Sequence, residues 1–448
     1  MPHVSPLGAA ALGLFAAGCG AVDPAPEWGA WRSAVAERTA SPASEACAEP
    51  WSPPTAGLTE ADAVRTALER HPAIRAELAR IGIAKADLEQ AGLLPNPTAS
   101  GNVLFGSGVP TLFNFDVVTE LSALANRPLR VEAAGAGVAR SVHEAVETTM
   151  GELAEVRRTW RELVFAEAAV ALLTEAEELA GRSREATEAL RQGGSATQLD
   201  ANLAESQHRQ AAAERISAEG RAARLRAELA HRMAVPGLAV GPLPPLSGEL
   251  SAFVPPEPAE ALQAALAGRA ALLAADARVR EAEVRLRLAR REVVPFPQVG
   301  VAGQDNPPSS FGPQFGVEIP IFDQGLPRIA RAEFALDEAR RLREAAELAV
   351  RRELAAVLAE LAALQRQEEE IRTRLLPLAE RSLTLAREAQ AAGGASILTV
   401  LTAQQAYLDA RRRLLAVRRD LAVQAVELER VVGRWSHPAD PPGKEPMP

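Results

Sequence analysis

The chain has little that a catalytic or metal-binding protein needs. Its 448 residues hold two cysteines, four methionines and six histidines. The histidines (3, 71, 143, 208, 231 and 437) are scattered, with neither an HExxH pair nor a CxxC. Neither a zinc site nor a dithiol couple therefore has its ligands, and a thioether site for a soft metal has little material. No P-loop or GxGxxG precedes a helix. His71 and His231 lie in amphipathic helical stretches, where packing or exposure accounts for them. The acidic runs Glu177-Glu178 and Glu368-Glu369-Glu370 read as solvated helix faces. No catalytic residue, cofactor or metal is expected. Lysine is nearly absent, at Lys85 and Lys444 only, and the net charge of −9 excludes the basic stripe of a nucleic-acid partner. Aromatic residues are 4% of the chain against 47% hydrophobic; the surplus is alanine and leucine, strong helix formers. No apolar run of about 18 residues follows the N-terminus, which leaves no candidate transmembrane helix. A transmembrane β-barrel stays open, because its strands need only about 9–11 alternating residues.

The first residues, MPHVSPLGAAALGLFAAGCG, read as an export signal: an apolar stretch from Leu7 to Ala17 runs into small residues. Ala16-Ala17-Gly18-Cys19 resembles a lipoprotein box, in which Cys19 becomes the acylated N-terminus. A Cys19–Cys47 disulfide is the alternative.

An internal repeat organises the rest. Leu93-Leu94-Pro95-Asn96-Pro97 returns as Val293-Val294-Pro295-Phe296-Pro297, and Arg127, Arg130 and Glu132 return as Arg328, Arg331 and Glu333. Gln192-Gly193-Gly194 returns as Ala392-Gly393-Gly394. The spacing stays near two hundred residues throughout. Each copy reads as helix, two strands, very long helix, tight break, helix. The strand stretches 97–106, 111–122, 297–304 and 313–322 alternate with period two. Phe113, Phe115 and Val117 share one face, as do Phe315, Val317, Ile319 and Ile321. An isolated hairpin is marginal in water, so these strands require partners. The long helices, 128–191 and 328–391, each reach about 95 Å at 1.5 Å per residue. Their apolar seams step by threes and fours, as in a coiled coil: Val146, Thr149, Leu153, Val156, Trp160, Leu163 in one, and Leu354, Val357, Leu361, Leu364, Glu368, Ile371, Leu375, Leu378 in the other. Pro377 is expected to kink the second.

This order of elements resembles the TolC-type outer-membrane factor family, especially its heavy-metal and drug-efflux members, over roughly residues 58–435. Leu94-Pro-Asn-Pro97 and Val294-Pro-Phe-Pro297 look like its helix-to-strand junctions. Gly316-Val-Glu-Ile-Pro-Ile-Phe-Asp323 followed by Arg328-Ile-Ala-Arg-Ala-Glu333 resembles its most recognisable segment, and Ala392 to Gln404 looks like the turn of its second periplasmic hairpin.

The resemblance implies an α+β membrane protein and a homotrimer. Four strands per protomer would build a twelve-stranded outer-membrane β-barrel, continued by a long α-helical periplasmic barrel. It implies a passive exit duct for substrates delivered by an inner-membrane pump through a periplasmic adaptor. The organisation expected is a signal peptide with the lipoprotein cysteine at 1–19, an extension at 20–57, a first repeat at 58–233, a linker at 234–257, a second repeat at 258–435 and a tail at 436–448. The helical hairpin tips would form the periplasmic gate, with Asp200 and Glu205 as acidic groups and Thr399 and Thr402 at the matching second-copy positions. Gly193, Gly194, Gly393 and Gly394 map onto the family's adaptor contacts; the alternative is that they end helices in a left-handed conformation. Asp200 has an alternative too, as a helix cap. Two other readings are a periplasmic adaptor and a coiled-coil structural lipoprotein. An adaptor has one hairpin where this chain has two, and a coiled-coil scaffold leaves the alternating strands unexplained.

Overall fold

The structure, a computed structural model, describes residues 22–39, 52, 54, 57–107, 109–235, 240–246, 255–305 and 309–435. Cys19, Cys47, the leader and the 436–448 tail lie outside the described residues. Helix α1 (Ala25–Thr39) falls inside the 20–57 extension, where no element was expected. It buries Trp31 and Val35.

Each repeat then opens on a broken helix instead of a single one. Thr59 starts α2 (Glu60–Arg70) through a capping box with Asp62, which satisfies amide donors that a helix start leaves orphaned. α2 stops at His71 because a proline disfavours helical backbone in the residue before it, and α3 (Pro72–Gly92) restarts on Pro72.

The strands follow: β1 (Thr98–Gly106) and β2 (Val109–Glu120). The chain turns at once into α4 (Leu121–Gln192), 72 residues long, and returns through α5 (Gln198–Arg232). α4 begins seven residues before Pro128, the residue expected to open it. The Arg130 guanidinium donates to the Ala123 carbonyl at 2.9 Å, supporting the turn that the proline interrupts.

The second repeat runs α6 (Pro258–Gly268), α7 (Ala270–Arg291), β3 (Pro297–Asp305), β4 (Ser310–Val317) and α8 (Leu326–Glu370). α6 and α7 divide at Arg269, whose φ of −65° and ψ of 120° nearly repeat the −64° and 123° of His71. β4 is shorter than expected. Pro320 cannot donate to a ladder, and the Ile321 amide donates instead to the Ile319 carbonyl two residues back. Ile319 and Ile321 therefore lie outside the strand, exposed.

After α8 the helix does not simply kink. It widens into a π-helical turn, Ile371–Leu375, and continues as α9 (Leu376–Ala391) before α10 (Ile397–Val432) returns. Pro377 lacks an amide and its ring would meet the carbonyl four residues back; the wider turn, closed by the Leu376 amide on the Ile371 carbonyl, relieves this. It also inserts one residue into the seam. Ile371 is buried as expected, but Leu375 and Leu378 are exposed, and Ala379, Leu383 and Ala386 take the buried places. In α4, where no such turn intervenes, Val146, Thr149, Leu153, Val156, Trp160 and Leu163 are all buried.

The chain divides into two compact units that cut across the repeats: Met1–Trp31, Glu77–Glu144 and Leu273–Glu344 form one, and Arg32–Ala76, Ala145–Leu272 and Ala345–Pro448 the other. Both repeats contribute to both units. The first unit holds the sheet, an antiparallel meander in the order β1-β2-β3-β4. There α7 packs on α8 through Ala282, Leu336 and Ala339, with Val279 and Leu286 beside them. In the second unit Leu354, Val357 and Leu361 of α8 meet Leu414, Val417, Leu421 and Leu428 of α10.

Candidate functional site

The sheet has two chemically distinct faces, fixed by its register. Phe115 pairs with Gly101 and Gly303, Val117 with Ala99 and Val301, and Val299 with Phe315. Because side chains alternate along a strand, the face that carries Val103, Phe113, Phe115, Val117, Val299, Val301, Phe311, Phe315 and Val317 is almost wholly apolar. Apart from Val299, which is half-buried, these side chains are exposed in the single chain. Phe115 also fills the space over Gly303, where an added Cβ would lie 2.4 Å from its ring.

The opposite face carries Ser100, Asn102, Asn114, Asp116, Gln298, Gln304 and Gln314, with Leu104, Leu112 and Val118 among them. Its polar groups bond across strands: Asn114 Nδ2 donates to Asn102 Oδ1 at 2.8 Å, and Ser100 Oγ to Asp116 Oδ1 at 2.6 Å. β1 and β4 are both open edges. A sheet that is apolar on one face, hydrogen-bonded on the other and unpaired at both edges leaves edge groups that call for further strands.

The hairpin tips lie in the second unit. Gly194 (φ +78°) ends the α4 side and Gly393 (φ +77°) the α9 side, each in the left-handed region that glycine tolerates. These are equivalent positions, so the glycine pairs are staggered by one residue: Gly193 precedes the left-handed residue in the first copy, and Gly394 follows it in the second. The correspondence at the tips changes with them. Thr197 matches Ser396 as the N-cap residue, and Asp200 matches Thr399. Glu205 then matches Gln404, not Thr402, and Gln404 is buried against Ser183.

Asp200 completes a capping box. It accepts from the Thr197 amide and hydroxyl at 2.8 and 2.7 Å, while its own amide donates to Thr197 Oγ1. Those donors hold its carboxyl below the usual aspartate range. Arg209, at 2.7 Å, does the same for Glu205, with Arg184 at 3.7 Å. The Thr399 amide donates to Ser396 Oγ at 3.4 Å, the hydroxyls of the two residues lie 3.2 Å apart, and Thr402 Oγ1 donates to the Leu398 carbonyl. Among the described residues no hydrogen bond or ion pair joins Asp200, Glu205, Thr399 and Thr402 to one another.

One cluster escaped the sequence reading. Arg157 of α4, buried, pairs with Glu60 of α2 and with buried Glu429 of α10, and lies 4.3 Å from the centre of the Trp435 ring. Arg161 adds two contacts of 3.1 Å to Glu60 and donates to the Ala422 carbonyl. Burial opposes ionisation of Glu60, but Arg157 and Arg161 outweigh it and hold the carboxyl below its ordinary range. The available signal was Arg157 directly beside seam residue Val156, a place where a charge is buried unless it faces water.

The same architecture recurs in known channels. Residues 261–434 match the family model described as "Outer membrane efflux protein". The structure superposes on a membrane protein from Pseudomonas aeruginosa with a TM-score of 0.72, at 21% identity, over 86% of this chain and 99% of that one. The outer membrane protein VceC of Vibrio cholerae gives 0.72 at 17%, over 84% and 96%. The open MtrE outer membrane channel of Neisseria gonorrhoeae gives 0.66 at 18%, over 83% and 88%. No curated protein matches the chain. The fold is that of the TolC-like outer-membrane channels. Residues 261–434, in the second repeat, thus carry an outer membrane efflux protein domain.

Proposed function

We propose that the chain is one protomer of a homotrimeric exit duct, the outer-membrane part of a tripartite efflux system. The carrying observation is the two-faced sheet with both edges open. Three copies joined edge to edge give twelve strands with no free edge, the apolar faces toward outer-membrane lipid and the Asn, Gln and Asp face toward a watery lumen. The duct is passive: substrates arrive from an inner-membrane pump through a periplasmic adaptor, and no residue does chemistry on them. Light scattering on the detergent-solubilised chain should give a trimer, and planar bilayers containing it should show discrete conductance steps. A water-soluble monomer that leaves bilayers silent would sink this reading.

The tips close the duct in this proposal. Three copies of Asp200, with Glu205 behind them, form an acidic ring, and Gly193, Gly194, Gly393 and Gly394 give the adaptor close backbone access. The capping box supports an ionised ring, because the Thr197 donors keep Asp200 charged as like carboxylates approach. Glu205 contributes less charge, its carboxylate being neutralised by Arg209 and Arg184. In single-channel recording Asp200→Asn is expected to weaken cation selectivity and divalent-ion block, and Thr399→Val to change neither. Unchanged selectivity in a folded Asp200→Asn trimer refutes the ring and leaves the duct standing. Acylation of Cys19 would add one weak, reversible anchor to the barrel; a mature N-terminal peptide carrying lipid, by mass spectrometry, is the expected finding.

A further inference from the structure

The two sides of the α7–α8 pair in the first unit differ in a way that the repeat does not require. Along one side three ion pairs join the helices: Arg290 with Glu333 at 2.8 Å, Arg340 with Glu283 at 3.1 Å and Arg343 with Asp276 at 3.0 Å. Residues 276, 283 and 290 recur every two turns and so share one stripe of α7, while 278, 281 and 285 lie on the opposite stripe. That opposite side opens into a groove of about 570 Å³. Its floor is alanine, and its walls carry five arginines, at 140, 278, 285, 328 and 331, against two glutamates, at 281 and 338.

The glutamates are already engaged. Glu281, buried, lies between Arg140 at 2.9 Å and Arg285, and Glu338 is 3.7 Å from Arg278. Arg328 has only Asp323, at 3.5 Å. Arg331 has no hydrogen bond or ion pair among the described residues. Their first-repeat counterparts behave differently. Arg127 donates to the Gly92 carbonyl at 2.6 Å and Arg130 to the Ala123 carbonyl at 2.9 Å, so both serve the backbone. In the second repeat the same pair projects unsatisfied donors into open space. Arg328 also sits in the first turn of α8, where the helix dipole disfavours a cation and favours an anion.

We propose that this groove is a binding site for an organic oxyanion bearing a phosphate or carboxylate group. Guanidinium forks match both groups bidentately. Arg328 and Arg331 grip the anion, and Arg278 faces it from α7. The alanine floor takes the apolar part of the ligand, and the volume is within the range of small-molecule pockets and far above the need of one water. The arginines are half-exposed, so binding weakens as salt screens them. This site stands apart from the duct proposal, since it is complete within one chain.

The test uses the full chain in nonionic detergent and two probes. Pyrophosphate is titrated calorimetrically at low salt, and native mass spectrometry follows retention of added phosphatidylglycerol. Saturable binding of either probe is expected, weakened at least tenfold in Arg328→Gln/Arg331→Gln. Loss of pyrophosphate binding alone identifies a soluble anion; loss of the lipid adduct identifies a headgroup. Glu338→Gln, which frees Arg278, should tighten binding several-fold and guards against a folding defect in the double variant. Binding of neither probe, or binding indifferent to all three substitutions, overturns the site.

Discussion

Arg157→Ala is expected to lower the melting temperature of the solubilised protein by roughly 10 °C, the largest loss from any single side chain in the second unit. The substitution removes the guanidinium that bridges Glu60 and Glu429 and leaves Arg161 on Glu60. Glu429 is buried, and breaking a buried pair from one side costs about 3–5 kcal/mol because a charge stays behind in poor solvent. For a unit of about 280 residues each kcal/mol moves the midpoint by about 2–3 °C. Arg157→Lys should recover only part of this, since an ammonium cannot fork between two carboxylates or stack on Trp435. A melting curve that Arg157→Ala leaves in place would show that the cluster adds nothing beyond packing.

The same cluster predicts the sign of a pH effect. Glu60 titrates below its ordinary range in the fold, so the unfolded chain binds its proton at a higher pH than the folded one does. The stability it contributes is complete above the unfolded value of about 4.3 and disappears as pH falls through the lower folded value. Glu60→Gln should lower the neutral plateau and flatten the acid limb of the stability curve, the variant and parent curves converging at low pH. An unaltered acid limb assigns the effect to other carboxylates.

Much of the fold is written in periodicity, and the failures are where one residue breaks the period. The strands β1, β2 and β3 fall within two or three residues of expectation because alternation and the Pro-containing junctions bracket them. β4 ends before the alternation does, because Ile319 and Ile321 keep the period through Pro320, which removes the backbone donor. The seam of α4 runs true from Val146 to Leu163. That of α8 does so only to Ile371, since the π turn ahead of Pro377 advances every later residue by one place. The break at His71 had its signal in the following proline; the matching break at Arg269 had none. At the tips glycine identity suggests one register and the left-handed angle fixes another, which pairs Glu205 with Gln404 in place of Thr402. Arg157 and the α7–α8 groove depend on residues brought together from distant segments, and no local pattern announces such pairs.

The sheet faces offer the sharpest contrast between neighbouring positions. Val301 and Gln304 lie on one strand, β3, three residues apart and therefore on opposite faces. Val301 pairs with Val117 and Pro313 on the apolar face, while Gln304 pairs with Asn114 and Ser310 on the polar one. If the apolar face meets lipid, an arginine there costs about 2–4 kcal/mol near the bilayer midplane, and a trimer bears that cost three times. Val301→Arg should therefore abolish the heat-resistant trimer on electrophoresis and leave little folded protein in the outer membrane. Gln304→Arg places the same side chain in water beside Asn114 and should assemble normally, adding positive charge to the lumen and shifting ion selectivity toward anions. A soluble sheet would show no such asymmetry, because both faces would meet water. Equal tolerance of the two arginines would therefore remove the lipid-facing assignment of Phe115, Val117, Val301 and Phe315 together, and with it the twelve-stranded barrel.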